Sequence, residues 1–254
     1  MCPPHQYWNM KKIVVIGDTC KDMFIYGESK RLSPEAPVPV FTPLYTVVND
    51  GMAGNVVANI SAISPKTRID FYHSYERITK TRYVDAKTNH LFLRVDDEPT
   101  STRISLTEKI LSDVQEADAV VISDYNKGFL SEDDLYKLSK LAKFAIIDTK
   151  KRIDPIHLSH FNFIKINEHE ANQGVADELI EKTIVTLGPQ GARYRDIIYP
   201  SPSPKETIDV SGAGDTFLAA FTIKYLEVQD VDVAISYANK MCSIVVSKRG
   251  VSTP

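Results

Sequence analysis

Cysteine is scarce in this chain. Cys2, Cys20 and Cys242 are scattered through 254 residues, and no two stand in a CxxC pair. That argues against a disulfide framework or a zinc ribbon and fits a reducing compartment. No apolar run approaches the length of a bilayer-spanning helix. The opening MCPPHQYWNM also lacks the apolar segment of a secretory signal. A cytoplasmic location is the expectation. An excess of either charge is missing too: 30 Lys plus Arg face 33 Asp plus Glu, a net charge of −3. Such a balance gives no global pull toward nucleic acid or an anionic membrane surface, so neither is expected as a partner. The sequence shows no internal repeat, no low-complexity tract and no linker between two large domains. What remains is an ordinary globular composition, 43% hydrophobic and 25% charged, long enough to bury a core without staples.

Within that composition two periods alternate. Short runs rich in β-branched residues occur at Ile13–Ile16, Ala119–Ser123, Phe144–Asp148, Phe163–Ile166 and Thr183–Leu187. Continuous runs of this kind suit strands covered on both faces, as in a parallel sheet. Helical patterns lie between them. Ser131 and Asp134 form a capping box ahead of Leu135, Leu138 and Leu141. Thr216–Leu226 is apolar on most faces, the pattern of a buried helix. Val233, Tyr237, Met241 and Val245 recur at i, i+4 spacing, with Ala234, Ala238 and Cys242 beside them. This order predicts a three-layer α/β fold around a central, mostly parallel sheet.

Two stretches break the alternation. Phe24–Asp50 carries Pro34, Pro37, Pro39 and Pro43 and almost no helical period. Lys80–Asp97 reads as two strands around a turn at Asn89. Residues 24–50 and 80–97 are therefore expected to form a small β-sheet, used as a lid over a ligand site or as an oligomer interface. One domain is expected over residues 10–254, with residues 1–9 as a disordered leader or a misassigned start.

The sharpest chemical signal is Asp209-Val-Ser-Gly-Ala-Gly-Asp215, which runs straight into the apolar helix. Gly212 and Gly214 let the backbone approach a ligand closely. Free N–H groups at a helix start form an anion site. Asp215 at its mouth makes sense as a base that takes a proton from an attacking hydroxyl while the backbone steadies developing charge. A structural glycine turn capped by Asp215 would give the same letters. Lys127 and Lys150 each follow the end of a predicted strand, after Asp124 and Asp148. Ligands of open α/β sheets bind outside the carboxyl ends of strands, and two cations there suit an anionic ligand.

The Asp209–Asp215 segment resembles the signature of the ribokinase (PfkB-type) carbohydrate kinases, and the resemblance runs over most of the chain. Gly17-Asp18 with Asp22 is similar to the family's first strand and its sugar-binding Asp. Gly51-Met-Ala-Gly-Asn55 resembles its sugar motif, Asn167-Glu-His-Glu170 its N-x-x-E motif, and Thr186-Leu-Gly-Pro-Gln-Gly191 its nucleotide-side segment. Further segments, Arg31–Val40, Lys80–Arg82, Leu93–Asp96, Ser123–Gly128 and Gly250–Thr253, resemble the branch that phosphorylates D-glycero-D-manno-heptose 7-phosphate at its anomeric hydroxyl.

The resemblance implies a ribokinase-like fold with a β lid, ATP as co-substrate and Mg²⁺. Asp215 would be the base, with the N–H groups of Gly212, Ala213 and Gly214 around the transferring phosphoryl group. Asn167 and Glu170 would organise Mg²⁺ through water. Thr186, Gly188, Gly191 and Asn239 would border the nucleotide, while Asp22, Gly51 and Asn55 would meet the sugar. Lys127 and Lys150 would meet the phosphate of a phosphosugar. Asp209, with Ser211 and the Gly250–Thr253 segment, would help hold a monovalent cation such as K⁺.

A kinase for an unphosphorylated sugar or nucleoside, and a truncated non-catalytic relative, are the competing readings. A homodimer through the β lid is expected because small sheets have unpaired edges, and Val38, Val40, Phe41, Leu91, Phe92 and Leu93 lie in these pieces. The sequence also departs from the family pattern. Met52 stands where a second glycine is usual. A helix-and-strand unit is missing between Ile63 and Ile78, and relatives continue beyond Gly250–Thr253 with another helix.

Overall fold

The computed structural model describes residues 10–152, 154–202 and 207–254; the expected leader at residues 1–9 lies outside them. The chain opens with β1 (Lys12–Gly17) and runs into a long hairpin, β2 (Thr19–Leu32) and β3 (Pro39–Met52). Helix α1 (Ala53–Ile63) follows, then β4 (Arg68–His73) and a second hairpin, β5 (Thr79–Asp85) and β6 (Leu91–Asp97). From there helices and strands alternate: α2 (Glu108–Glu116), β7 (Ala119–Asp124), α3 (Glu132–Leu141), β8 (Ala145–Thr149), α4 (Pro155–Leu158), β9 (Phe163–Asn167), α5 (Glu168–Ala171), α6 (Asp177–Ile180) and β10 (Thr183–Thr186). A short hairpin, β11 (Ala192–Tyr194) and β12 (Ile197–Tyr199), precedes two long helices, α7 (Ala213–Val228) and α8 (Val231–Val245).

Eight strands make the central sheet in the order β12-β11-β10-β9-β8-β7-β1-β4. Pairings from β10 to β4 are parallel, and β11 and β12 add an antiparallel edge. Successive side chains of a strand point to opposite faces. Ile13 and Val15 of β1 therefore pack with α1, α7 and α8, and Val14 and Ile16 with α2 and α3. Both faces are covered, which is why the strand sequences are continuously apolar rather than alternating. The expected three-layer fold is what forms.

Helix starts follow the sequence closely. Ser131 Oγ accepts from the Asp134 N–H at 3.2 Å, and Asp134 Oδ2 accepts from the Ser131 N–H at 2.9 Å, the capping box read from the sequence. On α8 the expected stripe is corrected. Ala234, Ile235, Ala238, Met241 and Val245 are buried, but Val233 is 45% exposed. Each step of four residues overshoots a turn by about 40°, so four residues at strict i, i+4 spacing cannot stay on one face.

The second sheet has the order β3-β2-β5-β6. It begins at Thr19 and returns to the body at Met52, a few residues wider than the expected 24–50. Asn89 turns the second hairpin with φ +60°. Register places Asp22 beside Lys80 and Phe24 beside Arg82. The same register sets Lys80 opposite Asp96 and Arg82 opposite Arg94, so Asp22, Lys80 and Arg82 share one face of this sheet. Val38, Leu91 and Leu93 remain exposed, whereas Phe41 packs edge-on against Tyr83 and Phe92. Among the described residues β4 is the single regular element between α1 and β5, as the shortened segment implies. None of the described helices is long and apolar enough to cross a membrane.

Candidate active site

Gly212 ends the turn before α7 with φ +79°, in the left-handed region. A Cβ there would stand 2.5 Å from Asn55 Nδ2, so both backbone shape and space demand glycine. The turn releases Asp215 into the first helical turn, where its side chain is buried at 4% exposure. Asn55, from α1, donates from Nδ2 to Asp215 Oδ2 at 2.9 Å. The Tyr125 hydroxyl donates to Asp215 Oδ1 at 3.0 Å. Asn55 is itself held: Asn59 Nδ2 donates to its Oδ1 at 2.9 Å, and Thr216 Oγ1 donates to Asn59 Oδ1 at 2.9 Å. Burial pushes the Asp215 carboxyl up to about 6. The Asn55 hydrogen bond opposes this, the Asp148 charge reinforces it, and Lys165 and Tyr125 pull it down.

Beneath the turn lies a buried ion pair. Lys165 Nζ, from β9, donates to Asp148 Oδ2 at 2.6 Å. The same ammonium would stand 2.8 Å from a Cβ built on Gly214, so it sits against the turn itself. Burial alone would raise Asp148; the charges of Lys165 and Lys150 instead hold it below the usual carboxylate range. A cleft of about 490 Å³ opens from here between the sheet and α7–α8. Lys150, Lys165, Asn167, Thr186, Gly188, Gly191, Ala213, Gly214 and Asn239 all line it. The expected nucleotide-side residues thus converge. Asn239 Nδ2 donates to the Tyr199 carbonyl at 2.8 Å, which ties α8 to the edge hairpin.

The Asn167–Glu170 spacing has a local cause as well. It is a capping box for α5: Asn167 Oδ1 accepts from the Glu170 N–H at 2.9 Å, and Glu170 Oε2 accepts from the Asn167 N–H at 2.8 Å. Glu170 Oε1 faces Lys150 Nζ. Among the described residues no three His, Cys, Asp or Glu side chains gather as metal ligands. One oriented carboxylate with a capping amide suits a cation that keeps most of its water, as Mg²⁺ does.

The other side of Asp215 faces the second sheet. Asp22 accepts from Arg82 Nη1 and from the Cys20 thiol. A Cβ on Gly51 would lie 2.1 Å from Asp22 Oδ2, so this glycine is what lets the carboxylate sit against the backbone. Met52 holds φ +56°, a strained value for a residue with a side chain, and that side chain packs beside Cys20, Ile78 and Tyr125. Asp18 Oδ2 accepts from the Tyr125 N–H at 2.9 Å and the Lys127 N–H at 3.3 Å, fixing the loop after β7. The two expected anion-binding lysines part company. Lys150 pairs with Glu170 and Asp148 and lines the nucleotide-side cleft, whereas Lys127 pairs with Glu98. They share no ion-pair partner among the described residues. Farther along, Asp209 accepts from the N–H groups of Ser211 at 2.8 Å and Gly250 at 3.2 Å, so these segments do meet.

Tyr125, Lys165, Arg82 and Glu98 are site residues that the sequence reading does not single out, although Arg82 and Tyr125 fall within segments that carry the resemblance. Lys165 did leave a signal: it is the one charge in the buried Phe163–Ile166 run.

The fold is that of the ribokinases. A ribokinase from Thermotoga maritima superposes with a TM-score of 0.70 at 16% identity, covering 95% of this chain and 95% of that one. The Arabidopsis thaliana ribokinase solved with ribose and ATP gives 0.69 at 14% identity, covering 95% and 94%. The pfkB family carbohydrate kinase pattern matches residues 66–254. This chain belongs to the pfkB family of carbohydrate kinases. It is also similar to the "Bifunctional protein HldE" of Helicobacter pylori strain J99, 32% identical over 296 aligned positions. The counterpart in Rhodopseudomonas palustris strain BisB18 is 29% identical over 301. Both matches cover 95% of this chain but 64% and 61% of the relatives. The 296 positions of the first exceed the 254 residues here, so that relative carries residues this chain lacks.

Proposed function

We propose that this chain is an ATP-dependent kinase for a phosphosugar, with the anomeric hydroxyl of a heptose 7-phosphate as the acceptor its resemblance favours. One observation carries the kinase reading. A buried carboxylate, Asp215, stands in the first turn of α7, held by Asn55 and Tyr125, next to Ala213 and Gly214, which line the cleft. Its proton affinity, raised to about 6, suits a base near neutral pH. The acceptor hydroxyl gives its proton to Asp215 as its oxygen attacks the γ-phosphorus, and ADP leaves with the bridging oxygen. The N–H groups of Gly212, Ala213 and Gly214 steady the transferring group, with the Lys165 charge directly beneath. Thr186, Gly188, Gly191 and Asn239 border the nucleotide; Asp22, Gly51 and Asn55 meet the sugar. Glu170 and Asn167 would hold a Mg²⁺ ion, which would supply neutralising charge to the triphosphate. Asp209, Ser211 and the Gly250 segment are assigned to a monovalent cation. The lid is assigned to a homodimer interface.

The second reading, a kinase for an unphosphorylated sugar, draws on one observation: the cations facing the acceptor side already have carboxylate partners, Arg82 with Asp22 and Lys127 with Glu98. A panel of heptose 7-phosphate, fructose 6-phosphate, ribose and fructose, read by kcat/KM and product identity, separates the two. The phosphorylated heptose should lead. Higher kcat/KM on an unphosphorylated sugar would move the assignment to the second reading.

A further inference from the structure

Two ammonium groups from separate parts of the molecule converge on one carboxylate. Lys80 belongs to β5 of the lid and donates to Glu98 Oε1 at 2.6 Å. Lys127 belongs to the loop after β7 of the body and donates to Glu98 Oε2. Glu98 follows β6 at the start of the irregular stretch that leads back to α2. The three side chains are 13%, 24% and 26% exposed, enough to exchange partners with a solute. Both lysines hold Glu98 ionised, down to about 2. Lys80 also stands on the acceptor side: it neighbours Asp22 across β2 and β5, and the Cys20 thiol feels Asp22, Lys80 and Asp215 together. Asp96, 3.9 Å from Lys80, is held instead by Arg94.

We infer that Lys80 and Lys127 form the subsite for the acceptor's own phosphate, and that Glu98 is a built-in stand-in displaced when that phosphate arrives. The inference rests on the phosphosugar reading above. A phosphate dianion brings more charge and more acceptor oxygens than a carboxylate, so it outcompetes Glu98 for the two ammonium groups. Glu98 then moves into water at little cost, because its side chain is already partly solvated. Bridging Lys80 to Lys127 through the ligand ties lid to body. An unphosphorylated sugar has nothing to exchange with Glu98 and leaves the pair as it is. The subsite uses Lys80 in place of Lys150, whose carboxylate partners belong to the nucleotide-side cleft.

The test compares kcat/KM for heptose 7-phosphate and for the same heptose without its phosphate, alongside KM for ATP and calorimetric binding of heptose 7-phosphate. The proteins are the wild type, Lys80→Met, Lys127→Met and Glu98→Gln, with thermal unfolding to confirm folding and the Lys→Gln versions in reserve. Each lysine variant should lower kcat/KM for the phosphorylated acceptor about tenfold or more. The preference over the unphosphorylated heptose should shrink by the same factor. Glu98→Gln removes the competing charge and should tighten binding of heptose 7-phosphate about threefold or more. If the wild type shows no preference for the phosphorylated heptose, the phosphosugar reading itself fails and the subsite falls with it. If the preference is present but the lysine variants lower both acceptors alike, or raise KM for ATP equally, that reading stands and the subsite is overturned. Weaker binding in Glu98→Gln would also overturn it.

Discussion

The surroundings of Asp215 pull its proton affinity in opposite directions and leave it raised. Burial works to keep its proton on, and the hydrogen bonds from Asn55 and Tyr125 work to remove it. A base must be unprotonated to act, so kcat/KM should fall below about pH 6, by about one decade per unit. Asn55→Ala and Tyr125→Phe each remove a bond that favours the charged form. The acidic limb of the profile should therefore move to higher pH in both, whatever happens to its height. Phosphorylated substrates titrate in the same region, but the shift between variants on one substrate isolates the enzyme group. A limb that stays put or moves to lower pH would contradict the assigned roles. Met52 shows a different residue-scale compromise: a backbone shape glycine adopts freely is kept by a buried side chain that fills space beside Tyr125.

Among the elements, α5 shows how one motif serves two ends. Asn167 and Glu170 cap a helix of 4 residues, and the same carboxylate reaches toward Lys150 and the cleft. Glu170→Gln keeps the shape and most of the capping geometry but removes the charge. It should raise the Mg²⁺ concentration needed for half-maximal turnover while thermal stability changes little, within about 1 kcal/mol for a cap. Unfolding without any change in Mg²⁺ dependence would leave the residue a helix cap alone. The element scale is also where the sequence was most legible. Runs such as Ile13–Ile16 had to be apolar at every position because helices cover both faces of β1. The Gly212 turn was legible because its conformation admits little else. The pairing of Tyr125 with Asp215 was not, since 90 residues separate them and only the folded sheet brings them together.

For the whole molecule, sheet order decides what local sequence leaves open. Lys127 and Lys150 have the same sequence context, a cation just past a strand ending near an Asp. Yet β7 lies beside β1, which leads into the lid, and β8 lies beside β9, which leads into α5. The two lysines are thereby delivered to different partners, Lys127 to Glu98 and Lys150 to Glu170 and Asp148. The lid itself leaves Val38, Leu44, Val48, Leu91, Leu93 and Val95 exposed on a sheet of only four strands. Such a surface calls for a cover, and a two-fold dimer is the simplest one. Light scattering at micromolar concentration should give twice the 28.5 kDa chain mass. A monomer mass would assign the lid to its own active site alone.

The central claim is phosphoryl transfer to a phosphosugar with Asp215 as base. Incubation of the wild type and Asp215→Asn with ATP, Mg²⁺ and heptose 7-phosphate, followed by phosphorus NMR, tests it most directly. The wild type should convert the acceptor to a sugar bisphosphate phosphorylated at the anomeric carbon, with one ADP per product. Asp215→Asn should still bind nucleotide but turn over roughly 10²–10⁴-fold more slowly. A bisphosphate formed at a near wild-type rate by Asp215→Asn, or none formed by the wild type, would contradict the claim.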